Sequence, residues 1–263
     1  MIVNFNKKFS IIHIPKTGGT SIKKSLREEN IEKDIFFFHK KLHVYPEFFS
    51  RSKEIKTQLK FSHLTFNELN KFYPHIFNEL IFFDFYVSIR DPKERFISSL
   101  IQYFGEEKID LSKISESQMM PYLEKIISDL TRNNYHNTIS MTSFKKQYDY
   151  IYFENKKIVK NIYKIDNLNK MIDDINIKYG PYFNKLKKAN VTSEIQYNPF
   201  KSNFFAKLIP SIIKKKILGS YNFFLPKEYK LFKIKYKNIL DEKMIHNFVN
   251  NFYEKDIKLY RDL

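Results

Sequence analysis

The 263-residue sequence predicts an α/β fold in which a central parallel sheet is flanked by helices. Three observations carry that expectation. Leu80–Arg90, LIFFDFYVSIR, is a nearly continuous apolar run, as expected of a parallel strand buried on both faces. Ser10–Ser21, SIIHIPKTGGTS, reads as a short strand broken at Pro15, then a glycine loop, then the start of a helix. Strand-like and helix-like segments alternate along the chain, with no internal repeat and no low-complexity linker, so residues 1–263 read as one domain.

In chain order, residues 9–14 form the first expected strand and 20–29 the first helix. Ile35–Phe38 is a second candidate strand. Lys60–His63 reads as a short strand ending at the histidine, and Phe66–Phe77 as helix or turn interrupted at Pro74. The run at 80–90 is the clearest strand. Asp91-Pro92 then suits a helix start, with Asp91 as cap and Pro92 in the first turn of a helix through Gln102. Met119, Tyr122, Leu123, Ile126, Ile127 and Leu130 recur at helical spacing over 116–131. Residues 144–153 suggest a short helix, Ile158–Lys164 a strand, and Asn167–Ile175 a capped helix. Asn184–Pro199 is loop-like, and Leu225–Leu263 is helix-rich.

Composition narrows the function classes. A 43% hydrophobic content with 27 Phe and 18 Tyr is too apolar for disorder. There is no Cys, which excludes disulfides and thiolate metal sites and fits a reducing compartment. The N-terminus runs straight into the first strand, and no apolar run approaches the roughly 20 residues that span a bilayer. A cytoplasmic protein is expected. The formal charge of +17 favours polyanionic partners: nucleic acid, anionic lipid or an acidic polysaccharide. Residues 201–220, KSNFFAKLIPSIIKKKILGS, form a basic amphipathic stretch. It reads as a packed helix with a solvated Lys face, as a contact to an acidic polysaccharide, or as a helix lying on the inner face of a membrane.

Chemistry concentrates in two phrases. In the first, Gly18 and Gly19 permit a tight turn and close ligand approach, while loop and helix N–H groups converge on one spot. Lys16 adds a positive charge, and Thr17, Thr20 and Ser21 add hydroxyl donors. In the second, Ser88-Ile-Arg-Asp-Pro-Lys-Glu-Arg-Phe-Ile-Ser-Ser-Leu100, Arg90 stands at the carboxyl end of a buried strand, where open α/β sheets bind ligands. Ser98 lies about two helical turns further on, so the pair suits a phosphate clamp.

IPKTGGTS together with SIRDPKERFISSL resembles the PAPS-dependent sulfotransferases, most of all the carbohydrate branch with the heparan-sulfate 2-O-type enzymes and their bacterial relatives. Softer likenesses are SHLTF at 62–66, YKIDNL at 163–168 and FYEKDIKLY at 252–260. The resemblance implies a P-loop-like three-layer sandwich. It implies PAPS (3′-phosphoadenosine 5′-phosphosulfate) as donor, with Lys16, Thr17, Gly18, Gly19, Thr20 and Ser21 at the 5′-phosphosulfate and Arg90 and Ser98 at the 3′-phosphate. It also implies a catalytic histidine near His63. Residues 102–145 and 180–225 match little and are expected to be acceptor-side or peripheral.

The resulting expectation is transfer of a sulfuryl group from PAPS to a carbohydrate hydroxyl by in-line displacement, with no metal required. Lys16 would stabilise the leaving phosphate, and His63 would take the acceptor proton, although a carboxylate base stays open. The acceptor is expected to be an acidic or lipid-linked glycan. Arg95 is open between an acceptor contact and a helix-surface salt bridge, and His13 reads as a core or supporting residue. Two other classes stay in view. A P-loop kinase or NTPase shares the lysine-glycine loop, but here Lys16 precedes the glycines instead of following them. Asp84 would then imitate its acidic strand residue; otherwise it reads as a strand residue with a local partner. A nucleic-acid-binding protein fits the charge, but no RNA or DNA module is recognisable.

Overall fold

The computed structural model describes residues 1–27, 36–37, 63–111, 113–132, 139–186 and 226–263. Among the described residues five strands form one sheet: β1 (Ile2–Asn4), β2 (Phe9–Ile12), β3 (Phe36–Phe37), β4 (Asp84–Ile89) and, after a separate hairpin, β7 (Asn161–Lys164). The spatial order is β3-β1-β2-β4-β7. The sheet is mixed. β2, β4 and β7 run parallel, with Ile12 opposite Val87 and Ile89 opposite Lys164. β1 lies antiparallel to both β2 and β3. The expected parallel centre is present, and the antiparallel edge is an addition to it. β1 is only three residues long and folds back through a turn in which Lys8 takes φ 54.

Alternation along the strands sends side chains to both faces. Val3, Ile12, Phe85, Val87 and Ile89 pack with α2 (Phe66–Phe72) and α3 (Pro74–Leu80). Ile2, Phe9, Ile11 and Tyr86 pack with α1 (Gly19–Ser25) and α6 (Leu168–Tyr179). Each fully buried Ile or Phe contributes about 1.5–3 kcal/mol, so the sheet is held from both sides. A third apolar cluster contains no strand residue. It joins α4 (Pro92–Glu106), α5 (Glu116–Thr131) and the 3₁₀ segment Ile139–Phe144 to the C-terminal helices α7 (Pro226–Lys235), α8 (Lys237–Leu240) and α9 (Lys243–Phe252). The chain ends in α10 (Glu254–Arg261).

Local chemistry explains most boundaries. Asp91 accepts from the Glu94 N–H at 2.9 Å, and Pro92 occupies the first turn of α4. Ser115 and Gln118 form a capping box that starts α5. The strand expected from Leu80 begins instead at Asp84, because Pro74 starts a new helix that consumes the run as far as Leu80. The helix expected over 20–29 ends at Ser25. Leu26 leaves it at ψ 132 and bridges to Phe183. The short helix expected at 144–153 resolves into a 3₁₀ turn at Tyr148–Tyr150 and the hairpin β5 (Tyr152–Phe153) and β6 (Lys156–Lys157). The strand expected at 158–164 shortens to Asn161–Lys164, and a 3₁₀ turn precedes α6, so Asn167 makes no side-chain cap. The basic stretch 201–220, His39, His43 and the strand leading up to His63 lie outside the described residues. Among the described residues no helix is long and apolar enough to cross a membrane.

Candidate anion site at the carboxyl ends of the parallel strands

Because β2 and β4 are adjacent and parallel, the two sequence phrases leave the sheet at the same end of the strands. They are also bonded to each other. The Ser88 hydroxyl, on β4, donates to the Thr17 carbonyl at 2.7 Å. The Thr17 hydroxyl donates in turn to the Ile14 carbonyl at 3.0 Å. Thr17 is buried, so its side chain shapes the loop from inside. Ser88 was not singled out from the sequence. A lone hydroxyl in an apolar strand, two residues before Arg90, was the available signal.

The loop itself is tightly wound. Lys16 takes φ 68 and Gly18 φ 92, both in the left-handed region. That conformation is uncommon for a residue with a side chain and clusters at ligand-binding sites. A Cβ on Gly18 would lie 2.6 Å from Leu168 Cδ1, at the start of α6. The loop is thus packed between the ends of β4 and β7, and a larger residue at 18 would push it off. At Gly19 the close neighbour is the His13 ring, with Nε2 1.9 Å from the position of a Cβ. Gly19 opens α1; Thr20 is exposed, and Lys16 and Ser21 are half-buried. A cleft of about 250 Å³ beside the loop is lined by His13, Thr17, Gly19, Thr20, Lys23 and Ser88, among others.

His63 is brought against His13, at the entry to this loop, although 50 positions separate the two histidines in sequence. Its Nδ1 lies 2.8 Å from the His13 carbonyl, and the two imidazoles stand 4.3 Å apart. A carbonyl only accepts, so Nδ1 carries the proton in this contact, and in the neutral imidazole the lone pair is then on Nε2. The Tyr150 hydroxyl donates to the His63 carbonyl at 3.0 Å and fixes the backbone there. His13 stands one residue beyond the end of β2 and supports both Gly19 and His63. His75 is exposed on α3 and takes no part.

Arg90 directly follows β4 and is 7% exposed. Its guanidinium lies 3.6 Å from Glu94, which also receives Lys233 at 2.7 Å. Ser98 lies on α4 and is 1% exposed. Arg90 and Ser98 do not line the cleft beside the loop. Arg95 is fully buried, which rules out both an acceptor contact and a helix-surface position, while the expected salt bridge is present in the interior. It donates to the Ser143 and Lys145 carbonyls at 2.9 and 2.7 Å and lies 3.8 Å from Asp256. Burial pushes the Asp256 carboxyl up from its ordinary range, against the Arg95 charge and two backbone N–H groups that favour the anion.

Asp84 stands at the other end of β4, about 20 Å of strand from Arg90. Lys178 and the Tyr179 hydroxyl hold its carboxyl below the ordinary range. It is a strand residue with local partners, remote from the loop. No family model matches the chain, and no curated protein or solved structure matches it either. The fold and the site together define a mixed α/β protein with a glycine loop, a histidine pair and an arginine at the carboxyl ends of two adjacent parallel strands.

Proposed function

We propose that the chain is a sulfotransferase that moves the sulfuryl group of PAPS to a hydroxyl of a carbohydrate acceptor, on a P-loop-like three-layer α/β scaffold. The observation that carries this reading is the bond from Ser88 to Thr17, which joins the loop of the first phrase to the strand bearing Arg90. Two anion-binding elements on adjacent parallel strands suit a donor with a phosphate at each end of its ribose. In this reading Lys16, Gly18, Gly19, Thr20 and Ser21 hold the 5′-phosphosulfate, Thr17 shapes the loop, and Arg90 with Ser98 serves the 3′-phosphate.

The acceptor hydroxyl gives its proton to His63 Nε2 as its oxygen forms a bond to sulfur. The bond from sulfur to the bridging phosphate oxygen breaks, and that oxygen keeps the electron pair. Lys16 stabilises the charge developing there. The Nδ1 contact to the His13 carbonyl supports the base assignment, because it sets the tautomer that can accept a proton. The formal charge of +17 supports an anionic glycan as acceptor.

The test uses purified protein, labelled PAPS and a panel of oligosaccharide, lipid-linked and phenolic acceptors. Label is expected on a carbohydrate. Lys16→Ala is expected to abolish transfer, and Arg90→Ala to weaken donor binding. Wild-type turnover by His63→Ala overturns the base assignment, and no transfer from PAPS to any acceptor overturns the activity.

A further inference from the structure

The backbone of Arg90 reaches past the sheet that holds it. The parallel pairing of β4 with β7 ends at Ile89, so the Arg90 N–H and carbonyl fall just beyond the ladder. The residue is buried, and an unpaired backbone group there is costly. Gln147 solves this. The Arg90 N–H donates to Gln147 Oε1 at 2.9 Å, and Gln147 Nε2 donates to the Arg90 carbonyl at 2.9 Å. A primary amide is the side chain that presents one acceptor and one donor at the spacing of a peptide group. Gln147 therefore extends the sheet by one rung with a side chain in place of a strand.

Gln147 is itself held. It is fully buried, and its N–H donates to Asp256 Oδ2 at 2.8 Å. The Tyr148 N–H donates to the other oxygen of Asp256, also at 2.8 Å. Asp256 lies beside Arg95, which grips the Ser143 and Lys145 carbonyls just before Gln147. Arg90 and Arg95 both belong to the junction of β4 and α4, so the contacts close on themselves. Every link but the half-buried one from Tyr148 is buried, and none of Ser143, Gln147 or Asp256 belongs to either sequence phrase. Two opposed hydrogen bonds hold the peptide groups on either side of the Arg90 Cα, and so fix the direction in which the arginine side chain leaves the strand.

We propose that Gln147, anchored by Asp256, is a positioning residue that aims the Arg90 guanidinium at the anion it binds. The proposal rests on the reading of Arg90 as the ligand of the donor's 3′-phosphate. A group that aims Arg90 governs the 3′-phosphate alone and leaves the 5′ loop untouched.

The test compares two ligands by calorimetric titration: 3′-phosphoadenosine 5′-phosphate and 5′-AMP, which lacks the 3′-phosphate. The wild-type chain is expected to bind the first at least tenfold more tightly. Gln147→Ala is expected to weaken that ligand by about tenfold or more, the worth of about one good hydrogen bond to a charged group, while 5′-AMP stays within twofold. Gln147→Met keeps the volume and removes both bonds; it gives the same readout if the alanine variant does not fold. Equal weakening of the two ligands, or no weakening of either, overturns the positioning role. A wild-type chain that does not distinguish the two ligands overturns the assignment of Arg90 beneath it.

Discussion

Gly19→Ala adds one methyl group at the point where the loop, His13 and His63 meet. That methyl would lie 1.9 Å from His13 Nε2, 2.0 Å from Cδ2 and 2.7 Å from Cε1. Ordinary contacts between such atoms are about 3.5–4.0 Å, so the overlap is roughly 1.5 Å along one ring edge. The ring is not free to move in every direction, because the His63 imidazole stands 4.3 Å from it. Alanine in a helix ordinarily gains about 1 kcal/mol over glycine, whereas overpacking costs about 1–3 kcal/mol. The net expectation is a loss of up to about 2 kcal/mol, or several degrees in Tm at about 2–4 °C per kcal/mol. The functional effect is expected to be larger than the loss of stability, since moving His13 also moves the carbonyl that sets the His63 tautomer. The assay is thermal unfolding together with NMR of the two imidazoles in 15N-histidine-labelled protein. A variant with unchanged or raised Tm and unmoved His63 resonances would refute this packing argument.

Other outcomes follow from the same geometry. Ser88→Ala removes the donor to a buried carbonyl of the loop and is expected to cost about 1–3 kcal/mol in urea unfolding. Asp256→Ala leaves Arg95 buried without its counter-charge and strips the partner from two backbone N–H groups; a loss of about 3–5 kcal/mol is expected by the same measurement. Burial, reinforced by the charge of Asp256, pushes the Asp149 carboxyl up to about 6. The protonated form is therefore favoured in the fold, so its stabilisation is complete below about pH 4 and is lost as pH rises through 6. Asp149→Asn is expected to flatten that part of the stability profile and to be about 1–2 kcal/mol more stable than wild type at pH 8, as read from urea midpoints.

What the sequence revealed and what it hid differ by range. Asp91-Pro92 announced α4, and the 116–131 periodicity announced α5, because caps and helical spacing act within a few residues. The β4 run and the glycine loop were legible for the same reason. Arg95 was misread because helix spacing says which residues share a face and not what packs there. α4 buries Arg95, Ser98 and Ser99 along with its apolar residues, since the 143–145 carbonyls and Asp256 offer polar partners inside. The pairing of Gln147 with Asp256 is invisible in the sequence: 109 residues separate them, and only the fold brings them together. β1 was hidden by its length of three residues, too few to show alternation. The pairing of His63 with His13 needed the tertiary fold, although both histidines could be named beforehand.

The central claim is that the loop at Lys16 and the strand end at Arg90 form one site for a donor phosphorylated at both the 3′ and 5′ positions. It is tested most directly by titrating the chain with 3′-phosphoadenosine 5′-phosphate and, separately, with ATP and magnesium. The site described here is expected to bind one equivalent of the 3′-phosphorylated nucleotide, more tightly than ATP, and to lose it in both Lys16→Ala and Arg90→Ala. ATP bound more tightly than 3′-phosphoadenosine 5′-phosphate, or binding unchanged by either substitution, would contradict it.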